Sequence, residues 1–247
     1  KSPIILISSE KIIKKKLMKL KFKKKIRLLN KNDFSKIKLD NKSINLIDIN
    51  FDQKKALKKI SKKTNKINEK SFKTSFDILK EGKIKKFING PISKKNFLDN
   101  KYLGITEYIS KKFSIKNTCM LIYNKELSVC PITTHLPIKQ VVKNINKQKI
   151  IQKVHLINDF YKKKFKYMPK IAVLGLNPHC ESIHKFNEDD KIIKPAIKYL
   201  KKKYDVSGPY PADTIFIKKL RKEFNVIVGM YHDQVLTPMK TLFNFDA

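Results

Sequence analysis

Val226-Ile-Val-Gly-Met-Tyr-His-Asp-Gln234 is the stretch whose reading decides the fold. An apolar, β-prone run at Val226, Ile227 and Val228 leads into Tyr231, His232, Asp233 and Gln234, with Leu236, Pro238 and Lys240 just beyond. A short buried strand that stops at a cluster of titratable side chains is how open α/β sheets present chemistry at their carboxyl edge. Two other stretches repeat the pattern. Ile171-Ala-Val-Leu174 runs into Gly175-Leu-Asn-Pro-His179, and Leu127-Ser-Val-Cys-Pro-Ile132 runs into Thr133-Thr-His135. Three of the chain's five histidines therefore stand at strand ends.

Outward from these motifs, strand-like and helix-like segments alternate. Strands are predicted over 4–7, 25–29, 44–49 and 86–89, and helices over 9–20, 67–79, 188–203 and 215–224. The apolar spacing of Val142, Ile145, Ile150, Val154, Ile157 and Phe160 predicts one or two helices over 139–166, with His155 a packed or surface residue of that stretch. A hairpin is expected around Asn124-Lys125, a lysine-rich excursion over 53–66 and a rigid loop over 208–214. This alternation predicts an α/β protein with a largely parallel sheet.

The 247 residues suffice for one large or two medium domains, and no apolar run is long enough to span a bilayer. The start, Lys1-Ser-Pro-Ile-Ile-Leu-Ile7, reads as a strand and not a signal peptide, and with no initiating methionine the amino terminus is expected to be missing. A net charge of +36 raises nucleic acid as a partner. Yet the excess is lysine spread along the chain among abundant Ile and Asn, and arginine, the better reader of phosphate and base, stands only at Arg27 and Arg221. Compositional bias is the preferred reading, with a basic nucleic-acid-binding protein as the alternative from a different class. Cys119, Cys130 and Cys180 make an odd set without a CxxC pair, which fits a reducing, cytoplasmic setting. Cys119 and Cys130 read as core, and Cys180 as a small filler in preference to a ligand.

His135, His179 and His232 are separated by 44 and 53 residues, so the fold must bring them together. Three imidazoles on one divalent ion leave an open position, the arrangement of a catalytic site. Such an ion holds a substrate hydroxyl, lowers its pKa and stabilises the charge that develops on oxygen. Asp233 either completes the shell or orients an imidazole from outside it. Asp213 either caps the following helix or faces the cleft, and Lys94, four residues past Gly90, either points into a cleft or is solvated.

Thr133-Thr-His-Leu-Pro137, Gly175-Leu-Asn-Pro-His179, Gly208-Pro-Tyr-Pro-Ala-Asp-Thr214 and Met230-Tyr-His-Asp-Gln234 with Lys240, joined in order by Gly90-Pro-Ile-Ser-Lys94 and Thr106-Glu107, resemble one known family. It is that of the 4-hydroxythreonine-4-phosphate dehydrogenases of pyridoxal phosphate biosynthesis, and the resemblance runs from near residue 1 to residue 247. It implies an isocitrate/isopropylmalate dehydrogenase-like fold, two α/β domains flanking an active-site cleft. Residues 1–98 with 234–247 would form an incomplete first domain, and 99–233 a second carrying most metal ligands. It implies a cytoplasmic homodimer, off the membrane, whose metal site is shared between subunits. His135, His179 and His232 would bind a divalent metal, zinc first, with magnesium or cobalt as alternatives. Thr106 and Lys240 would hold the small phosphorylated substrate, Lys240 at its phosphate, and Lys94, Asp213 and Asp233 would take catalytic roles. NAD, or NADP, would take the hydride from 4-phosphohydroxy-L-threonine. The resulting β-keto acid would lose CO2, because the adjacent carbonyl stabilises the carbanion, leaving 3-amino-2-oxopropyl phosphate.

The chain departs from the family pattern in places. Ile105 stands where the family has a substrate-contacting histidine, Cys180-Glu-Ser-Ile-His184 where it has Ala-Gly-Glu-Gly-Gly, and Val235 where glycine is usual. The glycine-rich opening turn has no counterpart before Lys1. The segment that supplies substrate-binding asparagine and arginine and much of the cofactor site does not follow Asp246, so truncation at both ends is expected and no cofactor residue is assigned. Ile105 motivates the alternative of a related dehydrogenase acting on another phosphorylated or acidic hydroxy acid.

Overall fold

The computed structural model describes residues 2–31, 38–51, 62–82, 84–93, 97–98, 101–184 and 186–244. The chain divides into two compact units, 1–105 and 106–247.

In the first unit, β1 (Ile5–Ser8), β2 (Ile26–Leu28) and β3 (Ile44–Asp48) pair in parallel in the order β1-β3-β2. Helix α1 (Glu10–Lys19) follows β1 directly. Ser9 stands at its N-cap position, but its hydroxyl donates to the Phe51 carbonyl at 2.5 Å, and Asp48 Oδ1 at the end of β3 accepts the Glu10 N–H at 2.9 Å. A neighbouring strand end thus satisfies one of the orphan donors of the helix. Helix α2 (Lys62–Lys80) buries Phe72, Phe76 and Ile78, and Phe72 stacks on Phe97 with ring centroids 4.9 Å apart. Residues 52–61, most of the expected excursion, lie outside the described residues. The strand predicted over 86–89 is absent. Phe87 packs edge-on to Phe72, but Ile88 is 80% exposed, and no described strand pairs with this run.

The second unit runs α3 (Ile105–Lys112), β4 (Ser128–Pro131), α4 (Ile138–Asn144), α5 (Lys147–Phe165), β5 (Ile171–Leu174), α6 (Lys194–Leu200), β6 (Val206–Tyr210), α7 (Lys218–Arg221), β7 (Val226–Gly229) and α8 (His232–Phe243). Its four strands are all parallel, in the order β4-β7-β5-β6. Alternate residues feed two cores. Cys130, Ile171, Val173, Val226 and Val228 pack with Ile150, Val154, Ile157 and Tyr161 of α5 and Ala196, Ile197 and Leu200 of α6. Val129, Ala172, Leu174 and Ile227 face the opposite way, against Ile215, Phe216 and Val235, Leu236 and Met239 of α8. Burial on both faces is why these strands read as unbroken apolar runs. Ile227 is fully buried at the centre of β7, and Ile227→Ala is expected to cost about 3 kcal/mol in urea unfolding of this unit. A loss under about 1 kcal/mol would mean that the site collapses around the deletion.

Three further features differ from the sequence reading. Gly208 and Pro209, expected in a loop, sit in β6, an edge strand where the missing proline N–H leaves no ladder bond unmade. The helix predicted over 215–224 shrinks to Lys218–Arg221, and its N-cap is Ile217, so Asp213 does not cap it. Residues 232–243, expected to belong in part with residues 1–98, form helix α8, which packs through Val235, Leu236 and Met239 within the second unit. No described helix is long and apolar enough to cross a membrane.

Candidate active site at the carboxyl edge of the second sheet

Strand β7 lies between β4 and β5, with Pro131 opposite Gly229 and Val173 opposite Val228. Parallel neighbours stand about 4.8 Å apart, so the loops carrying His135, His232 and His179 leave one sheet edge side by side. The sequence could state that each strand ends in a histidine; adjacency is a property of the sheet order.

Backbone and side-chain bonds fix this edge. The Thr133 hydroxyl donates to the Met230 carbonyl at 2.8 Å, and the Ile132 N–H to the Gly229 carbonyl at 2.8 Å. Buried Gln234 accepts the Met230 N–H at Oε1 (2.6 Å) and donates from Nε2 to the Gly175 carbonyl (2.8 Å), tying the end of β7 to the end of β5. The His135 and His232 rings are brought together, with centroids 5.9 Å apart. His232 Nδ1 lies 2.8 Å from Asp233 Oδ1. A carboxylate at this distance accepts from the imidazole tautomer protonated at Nδ1, the one that leaves Nε2 its lone pair. Glu107, in the first turn of α3, accepts the Thr134 hydroxyl at Oε1 (2.9 Å), and the same oxygen lies 3.4 Å from His135 Nδ1, within ion-pair range but short of hydrogen-bond geometry.

His179 is held differently. It adopts a left-handed conformation (φ 55°) in the turn Pro178–Cys180 and is exposed. Among the described residues, no three His, Cys, Asp or Glu side chains come together as a metal-holding group. Two of the three expected ligands meet, and the third does not join them. The loop before His179 is fastened by Asp189, which is fully buried and accepts the N–H groups of Leu176 (2.9 Å) and Asn177 (3.1 Å) and the Asn177 side-chain amide (2.8 Å). Gly175 is required here, since a Cβ would stand 2.7 Å from both Asp189 Oδ1 and Cys180 Sγ. Gly175→Ala is therefore expected to cost about 2 kcal/mol by urea unfolding; an unchanged midpoint would show that Asp189 and Cys180 move aside freely.

Two observations bear on a metal. His135 Nδ1 and Glu107 Oε2 are buried without a hydrogen-bond partner. Imidazole nitrogens and a carboxylate oxygen are also the donors that zinc and similar divalent ions take. The residues present fit part of a coordination shell.

Burial pushes the Glu107 carboxyl up, but its backbone hydrogen bond, the Thr134 hydroxyl and His135 together outweigh burial and hold it below the ordinary carboxyl value of 4.5. A depressed folded pKa means that the carboxylate contributes stability above about pH 4.5, lost as pH falls through the folded value. The urea-midpoint gap between the protein and Glu107→Gln is expected to be widest at neutral pH and to narrow below about pH 4.5. A gap that widens on acidification would reverse this sign.

Asp213 and Asp233 line one cleft of about 600 Å³ with Tyr231, Gln234, Thr237 and Thr241. Thr106 lies in the first turn of α3 and Lys240 in the last turn of α8, exposed to solvent, whereas Lys94 lies outside the described residues. Cys180 is buried as a filler, and burial raises its thiol pKa. His155 packs on Tyr204 through a 2.5 Å contact with its hydroxyl. Sequence reasoning quoted Glu107 and Thr134 without assigning them roles and passed over Asp189. Nothing local marks Asp189, whose partners lie 12 and 13 residues earlier.

The family model of the pyridoxal phosphate biosynthetic protein PdxA matches residues 1–247. A 4-hydroxythreonine-4-phosphate dehydrogenase of Sulfurihydrogenibium sp. is 39% identical over 204 residues, 81% of this chain and 62% of that protein. A D-threonate 4-phosphate dehydrogenase of Pectobacterium atrosepticum is 27% identical over 210 residues, 83% of this chain and 64% of that one. This chain thus spans less than two thirds of the length of these curated relatives. Among solved structures, the 4-hydroxythreonine-4-phosphate dehydrogenase of Klebsiella pneumoniae superposes with a TM-score of 0.80 at 24% identity, covering 99% of this chain and 76% of that one. That of Burkholderia phymatum superposes with a TM-score of 0.79 at 26% identity, covering 96% and 73%.

Proposed function

This chain belongs to the pyridoxal phosphate biosynthetic protein PdxA family, and on that premise we propose that it serves a dehydrogenase of a phosphorylated hydroxy acid, 4-phosphohydroxy-L-threonine first. The observation that carries the reading is the row of three adjacent parallel strands ending in Thr-Thr-His, Asn-Pro-His and Tyr-His-Asp-Gln, two of whose imidazoles already meet. In the proposed reaction the secondary alcohol loses a hydride to NAD and a proton to a base, and the β-keto acid formed exchanges its carboxyl group, lost as CO2, for a proton.

His135 and His232 would hold a divalent ion, zinc in the first place, and His179 of a second copy would complete the set, which suits an exposed histidine apart from the other two. An ion held there would lower the pKa of the substrate hydroxyl and stabilise charge on its oxygen. The residues of this chain do the positioning. Asp233 holds the His232 tautomer, Glu107 and Thr134 brace His135, and Gln234 locks the two strand ends beneath them. Asp213 and Asp233 face the cleft beside α8 and would receive the proton. Thr106 and Lys240 would hold the substrate, Lys240 as a point charge for phosphate.

Ile105 supports a second reading, with another phosphorylated hydroxy acid such as D-threonate 4-phosphate as substrate. Isoleucine offers no hydrogen bond at the first position of α3. The test is NAD reduction by the full-length protein with both compounds, before and after dialysis against a chelator. Turnover of 4-phosphohydroxythreonine that disappears with the chelator and returns with zinc supports the first reading. Preference for D-threonate 4-phosphate moves the second forward, and turnover of neither sinks both.

A further inference from the structure

We propose that Cys119 and Cys130 are an oxidative modification site, closing into a reversible intrachain disulfide when the protein meets a low-molecular-weight disulfide. The two sulfurs lie 3.4 Å apart, in van der Waals contact, and both cysteines are free. Neither is used by the site at the sheet edge. Cys130 is fully buried on β4, whereas Cys119 is only partly buried and is the more accessible of the two.

The pair is chemically unequal. The hydrogen bond with Cys130 lowers the Cys119 thiol pKa, burial opposes it, and the Lys153 charge adds to the lowering. The Lys153 ammonium is anchored next door, donating to the Thr118 carbonyl at 2.6 Å. The same contact, with burial, raises Cys130 well above an ordinary thiol. Cys119, the more accessible of the two, is therefore the attacking sulfur and buried Cys130 the resolving thiol. Cys119 displaces one thiolate from the small disulfide and forms a mixed disulfide. The Cys130 sulfur then attacks the Cys119 sulfur, its proton passing to a released thiolate, and the second small thiol leaves. Two cysteine thiols are oxidised and one small disulfide is reduced to two thiols.

The location gives the bond a consequence. Strand β4 is an outer strand of its sheet, and its outer edge is met by an isolated antiparallel bridge among the described residues, Ile122 to Val129, with both hydrogen bonds at 2.9 Å. The disulfide would clamp that covering segment onto β4. It would also join covalently the two stretches that lead from Glu107 and toward His135, whose contact braces the sheet edge.

The test is to incubate the folded full-length protein with glutathione disulfide, block remaining thiols and digest with trypsin, which cuts at Lys125 between the two cysteines. Expected are a mass loss of two hydrogens, a joined pair of peptides containing Cys119 and Cys130, full reversal by dithiothreitol, and a melting midpoint raised by about 5 °C. Cys119→Ser, a change at the more exposed position, is expected to abolish the cross-link while melting like the reduced protein. A stable glutathione adduct on Cys119 without the joined peptides would overturn the proposal, as would reaction confined to Cys180.

Discussion

Replacing His232 with alanine is expected to strip bound divalent metal from the full-length protein and to lower kcat/KM about 10³-fold or more. His135→Ala is expected to do the same, because the two rings face each other with centroids 5.9 Å apart and His135 keeps a buried nitrogen without a hydrogen-bond partner. His184→Ala is the control, since His184 lies in an exposed loop, and it is expected to retain both metal and turnover. Metal content after gel filtration, read beside the urea midpoint, separates loss of a ligand from loss of the fold. A His232→Ala protein that keeps its metal and its rate would remove these histidines from the chemistry. The basic-surface reading, whose mark is binding to nucleic acid that weakens steeply with salt, would then come forward.

Asp189→Ala is expected to cost the second unit about 3 kcal/mol. Its carboxylate is fully buried and accepts three N–H groups, two of them from the backbone of Leu176 and Asn177. Truncation leaves those partly buried donors without their acceptor and opens a hole where the buried carboxylate stood, and an unmet donor costs more than an average hydrogen bond contributes. Asp189→Asn should lose less, because the amide keeps one acceptor oxygen while its NH2 meets donors it cannot use. The order Ala below Asn below the parent protein in urea midpoint is the expected outcome. An Asp189→Ala protein within about 0.5 kcal/mol of the parent would mean that the Asn-Pro-His loop does not depend on this carboxylate.

Much of the second sheet was legible because its strands are buried on both faces. Ile171–Leu174 and Val226–Gly229 carry no polar residue to blur their limits, and the loop residues after them change character abruptly. Helix α8 was hidden for a specific reason. Pro238 falls in its interior and removes one backbone donor, so the segment reads as a break, although Val235, Leu236 and Met239 still bury one face. The expected strand over 86–89 failed in the opposite sense. Its residue types suit a strand, but pairing needs a neighbour, and none of the described strands offers one.

Local pattern alone determined the α/β class, the strand ends that bear His135, His179 and His232, and the family motifs, because each rests on residues a few positions apart. Tertiary structure decided the rest. The order β4-β7-β5 makes the three histidine loops neighbours, Glu107 comes to His135 from 28 positions earlier in the chain, and Asp189 reaches back to hold the loop of His179. The thiol pair of Cys119 and Cys130 likewise depends on how a covering segment lies along β4. These contacts join residues that periodicity cannot connect, since hydrogen bonds and charge interactions act over ångströms of space and not over positions in sequence.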